Sequence, residues 1–249
     1  SKVAEETADL KMTGVCVAAS NPNVVVVRTV GDGLLRSTDK GKTWMPANGA
    51  LTGPANVVRS VAIDPTNPDI MIRAAGHADQ KGKFIGGLYK TLDGGKNWQK
   101  LPFEGDFDGK GPSAICGEIV DINNGAPNEV LVGTETKGLF RSTDGGKTWK
   151  QILPGDQRFT TVKYHRFNEG QRRDVYAVTS KDRVMEILGR GKSKFITTAE
   201  VSRIYFSYDS GNAFILKSEN QSRGFLNLAL FNMASNELML ATTHGFEYS

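Results

Sequence analysis

The sequence predicts an all-β fold, a β-propeller in which four-stranded sheets stand radially around an axis. Three observations carry that expectation. One octapeptide recurs four times, its copies are spaced by about one blade length, and two runs of alternating apolar residues precede each copy. The copies read Ser37-Thr38-Asp39-Lys40-Gly41-Lys42-Thr43-Trp44, Thr91-Leu92-Asp93-Gly94-Gly95-Lys96-Asn97-Trp98 and Ser142-Thr143-Asp144-Gly145-Gly146-Lys147-Thr148-Trp149, with a degenerate fourth, Ser207-Tyr208-Asp209-Ser210-Gly211-Asn212-Ala213-Phe214. Their aspartates lie 54, 51 and 65 residues apart, and a period of about 50 matches one four-stranded blade.

Each part of the octapeptide has a physical task in a hairpin turn. The aspartate accepts hydrogen bonds from amides of its own turn, and the glycine admits positive φ. The aromatic residue is expected to fold back into the gap between neighbouring sheets. Asp39, Trp44, Asp93, Trp98, Asp144, Trp149, Asp209 and Phe214 are therefore read as structural.

The strands follow from the period-two runs. They are Val15 to Ala19 and Val24 to Arg28 in the first unit, and Val58 to Ile63 and Ile70 to Ala74 in the second. The third unit offers Ile115 to Ile122 and Glu129 to Gly133; the fourth offers Thr160 to His165 and Asp174 to Thr179. A fifth unit without an octapeptide comprises Leu226 to Phe231, Glu237 to Thr242 and Gly245 to Ser249. Its missing outer strand would leave an exposed sheet edge. Lys2 to Lys11, otherwise unassigned, is expected to supply that strand and close the ring. The chain is thus read as one propeller over 1–249, with five blades at about 12–48, 56–102, 113–153, 158–217 and 224–249 plus 1–11. An incomplete ring of six or seven blades is the rival reading.

Composition narrows the function classes. With 39% apolar and 23% charged residues the chain is globular, and its 28 glycines favour tight turns over long helices. No apolar run reaches the roughly 20 residues of a membrane-spanning helix. The net charge of +4 would favour acidic partners but falls short of a nucleic-acid footprint. Ser1 to Leu10 is polar and acidic, unlike a secretory signal, and a chain beginning at Ser1 reads as a processed or trimmed product. Cys16 and Cys116 make no disulfide framework. Both are expected to be buried thiols, with a bridge between them as the alternative.

The octapeptides resemble those of the Asp-box (BNR) repeat proteins, which include sialidases, sortilin-type receptor ectodomains, a photosystem II assembly factor and xyloglucan-active glycoside hydrolases. The likeness runs furthest with the last group. Val61-Ala62-Ile63-Asp64-Pro65-Thr66-Asn67-Pro68 resembles their Ile-Ala-x-Asp-Pro-Thr-Asn-Pro segment, and Leu101-Pro102-Phe103 followed by Gly117-Glu118 is also similar. The resemblance covers roughly residues 13 to 152 and implies an extracytoplasmic protein, secreted or periplasmic. In those hydrolases the first blade resembles Ala-Arg-Thr-Asp-x-Gly-Gly, with the aspartate as catalytic base. Here Val27-Arg28-Thr29-Val30-Gly31-Asp32-Gly33 puts Val30 in that place and Asp32 two residues on. The family's acid comes from a second propeller, for which this chain has no room. Inverting hydrolysis takes two carboxylates about 6.5–9.5 Å apart, and Asp32 and Glu118 are the candidates that remain. No segment resembles the Phe-Arg-Ile-Pro start of a sialidase.

In such a ring the loops joining strands two and three share one rim with the links between blades, while the octapeptides share the other. Asp32, His77, Asp79, Glu135, Lys137 and His244 fall on the two-to-three loops, and Asn56, Asp106, Asp108 and Asp156 between blades. Arg59 and Glu118 head innermost strands and are expected to face the channel. His165 lies inside an apolar strand and reads as a packed residue. No histidine pair has metal-ligand spacing, and Glu104 to Asp108 lacks the oxygen-ligand spacing of a calcium loop. The connection from Ser180 to Ser202 reads as an extra hairpin with a basic tip, Gly189-Arg190-Gly191-Lys192-Ser193-Lys194. Gly191-Lys192-Ser193 imitates a phosphate loop, but that motif needs glycine where Glu186 stands, so nucleotide binding is set aside. A long loop on a rigid scaffold is a place for function, and this one is read as a docking finger for an acidic partner.

The expectation is a non-catalytic module binding a protein or glycan through the channel rim (Arg59, His77, Asp79, Glu135, Lys137, His244) and the blade-four insertion (Arg190, Lys192). No cofactor, metal, nucleic acid or membrane insertion is expected. The alternative is a glycoside hydrolase acting on a β-glucan or xyloglucan-like polysaccharide.

Overall fold

The computed structural model describes residues 12–64, 66–81, 83–103, 112–116, 129–134, 137–155, 159–166, 173–179, 183–187, 193–197, 201–209, 211–220, 225–232, 237–242 and 245–248. They are nearly all β. The first sheet is antiparallel in the order β1 (Met12–Val17), β2 (Val25–Thr29), β3 (Leu34–Ser37), β4 (Met45–Pro46). The second repeats it with β5 (Val58–Ile63), β6 (Met71–Ala78), β7 (Phe84–Thr91) and β8 (Gln99–Lys100), and the third with β9 (Pro112–Cys116), β10 (Val130–Thr134), β11 (Leu139–Ser142) and β12 (Lys150–Leu153). In the fourth, β13 (Phe159–Arg166) and β14 (Arg173–Thr179) are followed by a separate hairpin, β15 (Arg183–Ile187) and β16 (Ser193–Thr197). The sheet then resumes with β17 (Ser202–Ser207) and β18 (Ile215–Asn220). Last come β19 (Phe225–Asn232), β20 (Glu237–Thr242) and β21 (Gly245–Tyr248). The opening strands are mutual neighbours in chain order: β1 meets β5, β5 meets β9, β9 meets β13 and β13 meets β19. This is the arrangement of a propeller, first strands innermost. Closure by residues 1–11, and with it the five-blade count, lies outside the described residues.

The octapeptide turns have one geometry. Ser37 Oγ donates to Asp39 Oδ1 at 2.7 Å and accepts from the Gly41 amide at 2.8 Å. Asp39 then accepts from the Thr43 amide at 2.9 Å and the Thr43 hydroxyl at 2.6 Å. Thr91, Asp93 and Asn97 repeat the pattern, as do Ser142, Asp144 and Thr148. The degenerate fourth keeps the bonds from Ser207 and from the Ala213 amide to Asp209, although Ala213 has no hydroxyl to add. A hydroxyl and a carboxylate thus share the amides that the reversal leaves without a strand partner.

The aromatics fill the gaps between sheets. Trp98, from the second sheet, packs on a cluster of Val26, Leu34, Ala47, Val58, Val61 and Met71 that spans the first two, and its Nε1 donates to the Ala47 carbonyl at 3.0 Å. Trp149 packs where the second and third sheets meet, 5.1 Å from the Phe103 ring. Phe214 does the same between the third and fourth. Leu34, Met71 and Leu139 are fully buried in these gaps, and each such side chain contributes about 1.5–3 kcal/mol on burial.

The residue before each of the first three turns is a cation reaching the next blade. Arg36 Nη2 lies 2.6 Å from Asp69 Oδ1, Lys90 Nζ 3.3 Å from the Gly145 carbonyl, and Arg141 Nη1 3.1 Å from Asn212 Oδ1.

Two expectations need correction. The first strand does not run from Val15 to Ala19 but from Met12, three residues earlier. Cys16 is only half-buried: β5 covers one face of β1, where Cys16 Sγ reaches the Val61 carbonyl at 3.4 Å, while Val15 and Val17 on the other face are 64% and 56% exposed. Cys16 carries its thiol without a disulfide. The side chains of Cys116 and His165 lie outside the described residues.

Backbone strain marks one turn. Gly94 and Gly145 adopt φ of 72° and 74°, and Lys40 takes the same place at 63°. A left-handed residue with a Cβ costs about 1–2 kcal/mol, against about 0.5–1 kcal/mol of extra chain entropy for glycine. Lys40→Gly is therefore expected to stabilise the protein by about 0.5–1 kcal/mol, read as a higher urea midpoint at unchanged slope.

The turn carboxyls also set an acid limit. The Thr43 side chain and amide, with Ser37, hold Asp39 down to about 2; the Asn97 amide and side chain, with Thr91, do the same for Asp93. A depressed carboxyl stabilises the fold fully above its unfolded value of about 3.9 and loses that contribution as pH falls through the folded one. Thermal stability is accordingly expected to fall between about pH 4 and pH 2, with a smaller fall in Asp39→Asn, as circular dichroism melts would register.

Candidate functional site

Antiparallel sheets put the turns after strands one and three at one end and the turn after strand two at the other. The octapeptide end is occupied by its own hydrogen bonds, so the candidate site lies at the opposite end. There β2–β3 and β10–β11 use the same closed turn. The Thr29 amide and hydroxyl both donate to the Gly33 carbonyl, at 2.9 and 3.1 Å, and Thr134 does likewise to Gly138 at 3.0 and 2.9 Å. Both threonines are buried. Gly33 is required: its φ is 74°, and a Cβ there would stand 2.1 Å from Asn56 Oδ1. The Thr-x-x-x-Gly repeat behind this turn is legible in the chain, but only the octapeptides draw the eye.

The sequence candidates are distributed unevenly over this rim. Asp32 sits exposed on the first turn, its carbonyl accepting from Asn48 Nδ2 at 2.8 Å. Asn56 ends a short 3-10 turn (Gly53–Asn56) and turns its Oδ1, buried, towards Gly33. Lys137 is exposed on the third blade's turn, with its amide on Thr134 Oγ1 at 2.9 Å and its carbonyl accepting from Gln151. His77 belongs to β6 itself, opposite Ile85, and is exposed. Asp79 Oδ1 accepts from the Lys81 and Lys83 amides at 2.9 and 2.8 Å in the β6–β7 turn. Arg59 is half-buried on innermost strand β5, its guanidinium 5.6 Å from the centre of the Phe84 ring and its carbonyl bonded by Arg28. Glu118, Glu135, His244, Arg190, Lys192, Asp106, Asp108 and Asp156 lie outside the described residues, as does the Glu104 to Asp108 loop. The insertion hairpin β15–β16 springs from this same end, between β14 and β17. Among the described residues no group of three or more His, Cys, Asp and Glu gathers, and no helix is long and apolar enough to cross a membrane.

Beneath Asp32 lies a polar cluster that sequence reasoning missed. Arg73, in the middle of β6, is fully buried. Its Nη1 donates to Asn48 Oδ1 at 3.0 Å, and its guanidinium stands 4.5 Å over Trp98 and 5.8 Å from the Tyr89 ring. Burial lowers its pKa to about 10 despite the opposing pull of Tyr89, so it stays charged at neutral pH. The same Asn48 Oδ1 accepts from the Leu34 amide at 2.8 Å. Asn48 thus ties the Asp32 turn to a buried cation in the second sheet. An arginine within the apolar run Met71-Ile72-Arg73-Ala74-Ala75 was the available signal.

No family model matches the sequence. Among curated proteins the chain is 28% identical over 148 residues to the xyloglucanase Xgh74A of Acetivibrio thermocellus, which covers 57% of this chain and 17% of that protein. It is 26% identical over 147 residues to an oligoxyloglucan-reducing end-specific xyloglucanase of Emericella nidulans, covering 57% and 18%. The chain therefore spans less than a fifth of the curated relatives it matches. The GH74 xyloglucanase of Xanthomonas campestris superposes with a TM-score of 0.56 at 15% identity, over 96% of this chain and 44% of that one. Fold and neighbours together define a β-propeller-type protein. At the level of sequence, its curated relatives are xyloglucanases.

Removing the Asn48 side chain would strip Arg73 of its carbonyl acceptor and leave a buried cation behind. Asn48→Ala is expected to cost about 2–3 kcal/mol of stability, measured by urea denaturation.

Proposed function

We propose that this chain is a polysaccharide-directed propeller of the glycoside hydrolase type, acting on a β-glucan or xyloglucan-like chain at the rim that carries Asp32. The observation that carries this reading is the likeness to two xyloglucanases over 148 and 147 residues. The asymmetry of the two ends supports it. At the octapeptide end the carboxylates are engaged by their own turns, whereas Asp32 and Lys137 are exposed at the other. Such groups suit a hydroxyl-rich ligand lying across the rim.

Asp32 is assigned as the general base. It stands two residues after Val30, the position that resembles the catalytic aspartate of the family, and Val30 is itself exposed on the same turn. Asn48 holds the carbonyl of Asp32 and, through Arg73, steadies the turn. Inverting hydrolysis takes a second carboxylate about 6.5–9.5 Å away, for which Glu118 is the remaining sequence candidate. A polysaccharide of this kind goes with an extracytoplasmic setting. Five blades closed by residues 1–11 remain the proposed ring.

A second reading has its own observation. The hairpin β15–β16 forms a sheet apart from the fourth blade, which suits a non-catalytic module binding a protein or glycan, with an acidic partner docked through Arg190 and Lys192 and the rim residues Arg59, His77, Asp79, Glu135, Lys137 and His244.

Reducing-end release from xyloglucan and a β-glucan panel tests the first reading. The wild-type chain is expected to release ends, and Asp32→Ala to lower the rate by about a hundredfold or more, the scale of a lost general base. Release that survives Asp32→Ala would remove the assignment of Asp32. Absence of both release and xyloglucan retention by the wild type would leave the docking reading in possession.

A further inference from the structure

The three cations that precede octapeptide turns are not equally satisfied. Arg36 is paired with Asp69 at 2.6 Å and Arg141 with Glu129 at 3.4 Å. Lys90, the middle one, makes no ion pair among the described residues. It is half-buried, and its Nζ has the Gly145 carbonyl at 3.3 Å. Burial lowers its pKa first of all; Asp64 pulls the other way, and Lys147 lowers it further. Lys147 therefore stands close enough to disfavour the charge on Lys90.

Lys90 and Lys147 border an open groove of about 690 Å³ between the second and third octapeptide turns. Lys100 adds a third cation, and Leu101 and Trp98 contribute apolar wall. Asp93 and Asp144 also border it, but their oxygens are engaged by their own turns: Asp93 by Asn97 and Thr91, Asp144 by Thr148 and Ser142. With three lysines against two carboxylates, the groove keeps a net positive charge. Leu92, also on the groove, is 67% exposed. The first and third turns carry Thr38 and Thr143 in its place, so an aliphatic side chain stands in water where its siblings present hydroxyls.

We propose that this groove binds an acidic peptide segment, one carboxylate lying against Lys90 and Lys147 and a neighbouring aliphatic side chain against Leu92. Peptide is favoured over an anionic sugar by the state of the aromatic residue. Trp98 has Arg73 4.5 Å from its ring centre, and its Nε1 is bonded to Ala47 and Gly95. It offers a wall to pack against rather than an open platform for stacking, while Leu92 offers a surface that suits an aliphatic side chain. The volume lies in the range that encloses a small ligand or a few peptide residues, about 300–1,000 Å³. The site is distinct from the polysaccharide rim, being at the opposite end of the strands.

Fluorescence anisotropy with a labelled hexapeptide of alternating glutamate and leucine tests the proposal, with a glutamine–leucine peptide and tri-galacturonate alongside. Saturable binding of the glutamate peptide is expected, weakened about tenfold in Lys90→Met and again in Leu92→Thr, and reduced by added salt. Xyloglucan retention or cleavage is expected to be the same in these variants as in the wild type, so failure here and failure of the polysaccharide reading are separable. Leu92 is exposed, so Leu92→Thr decides the matter even if Lys90→Met fails to fold. Equal binding of the glutamine peptide, unchanged affinity in a folded variant, or binding of tri-galacturonate without the peptide would overturn the proposal.

Discussion

A tight reversal between two strands leaves several amides pointing into the turn, where no neighbouring strand can receive them. In this protein a hydroxyl and a carboxylate two residues on share them: Ser37 Oγ accepts from the Asp39 and Gly41 amides and Asp39 Oδ1 from the Thr43 amide. That constraint propagates. Once the Asp39, Asp93, Asp144 and Asp209 turns are closed, the aromatic five residues on is delivered to the start of an outer strand. In the second, third and fourth sheets it can then only fold into the space beside the preceding sheet. Trp98, Trp149 and Phe214 are consequently both turn residues and core residues. Local electrostatics and inter-sheet packing are supplied by the same eight positions.

The two ends of the strands differ for the same reason. Octapeptide turns consume their own polar groups, and the preceding cations reach across to the next blade, so that end is largely engaged in holding the sheets together. The opposite end is closed by threonine on glycine at Thr29–Gly33 and Thr134–Gly138. Among the described residues between those anchors, Val30, Asp32 and Lys137 are exposed. An exposed Asp32 or Lys137 follows from turn chemistry that does not need it, which is how a propeller can vary its rim without disturbing its core.

Buried charge gives this fold its least forgiving position. Arg73 lies between Trp98 and the Tyr89 ring with one amide oxygen as its acceptor among the described residues. A guanidinium tolerates such a site because its charge is spread over a plane that aromatic faces attract. The arrangement couples the second sheet to the Asp32 turn of the first through Asn48. Lys90 shows the converse, a cation in the same series as Arg36 and Arg141 but without their carboxylates.

Much of the architecture was legible in the chain. β5 and β20 have the bounds that alternation predicts, Val58–Ile63 and Glu237–Thr242, and the insertion after β14 is a hairpin as its two apolar runs suggest. These are local properties: side-chain alternation, hydroxyl-to-carboxylate spacing and the tolerance of glycine for positive φ act within about ten residues, so a linear reading reaches them. The rest depends on contacts that sequence order does not display. Asn48 and Arg73 are 25 residues apart, and nothing in either stretch announces the other. Asp79 Oδ1 accepts from amides of its own turn, and Cys16 is half-buried because, among the described residues, β5 covers one face of β1. The sequence by itself determined which segments are strands and which turns close them. Only the tertiary structure decided which polar groups remain unspent, because that depends on what each side chain meets across a gap between sheets.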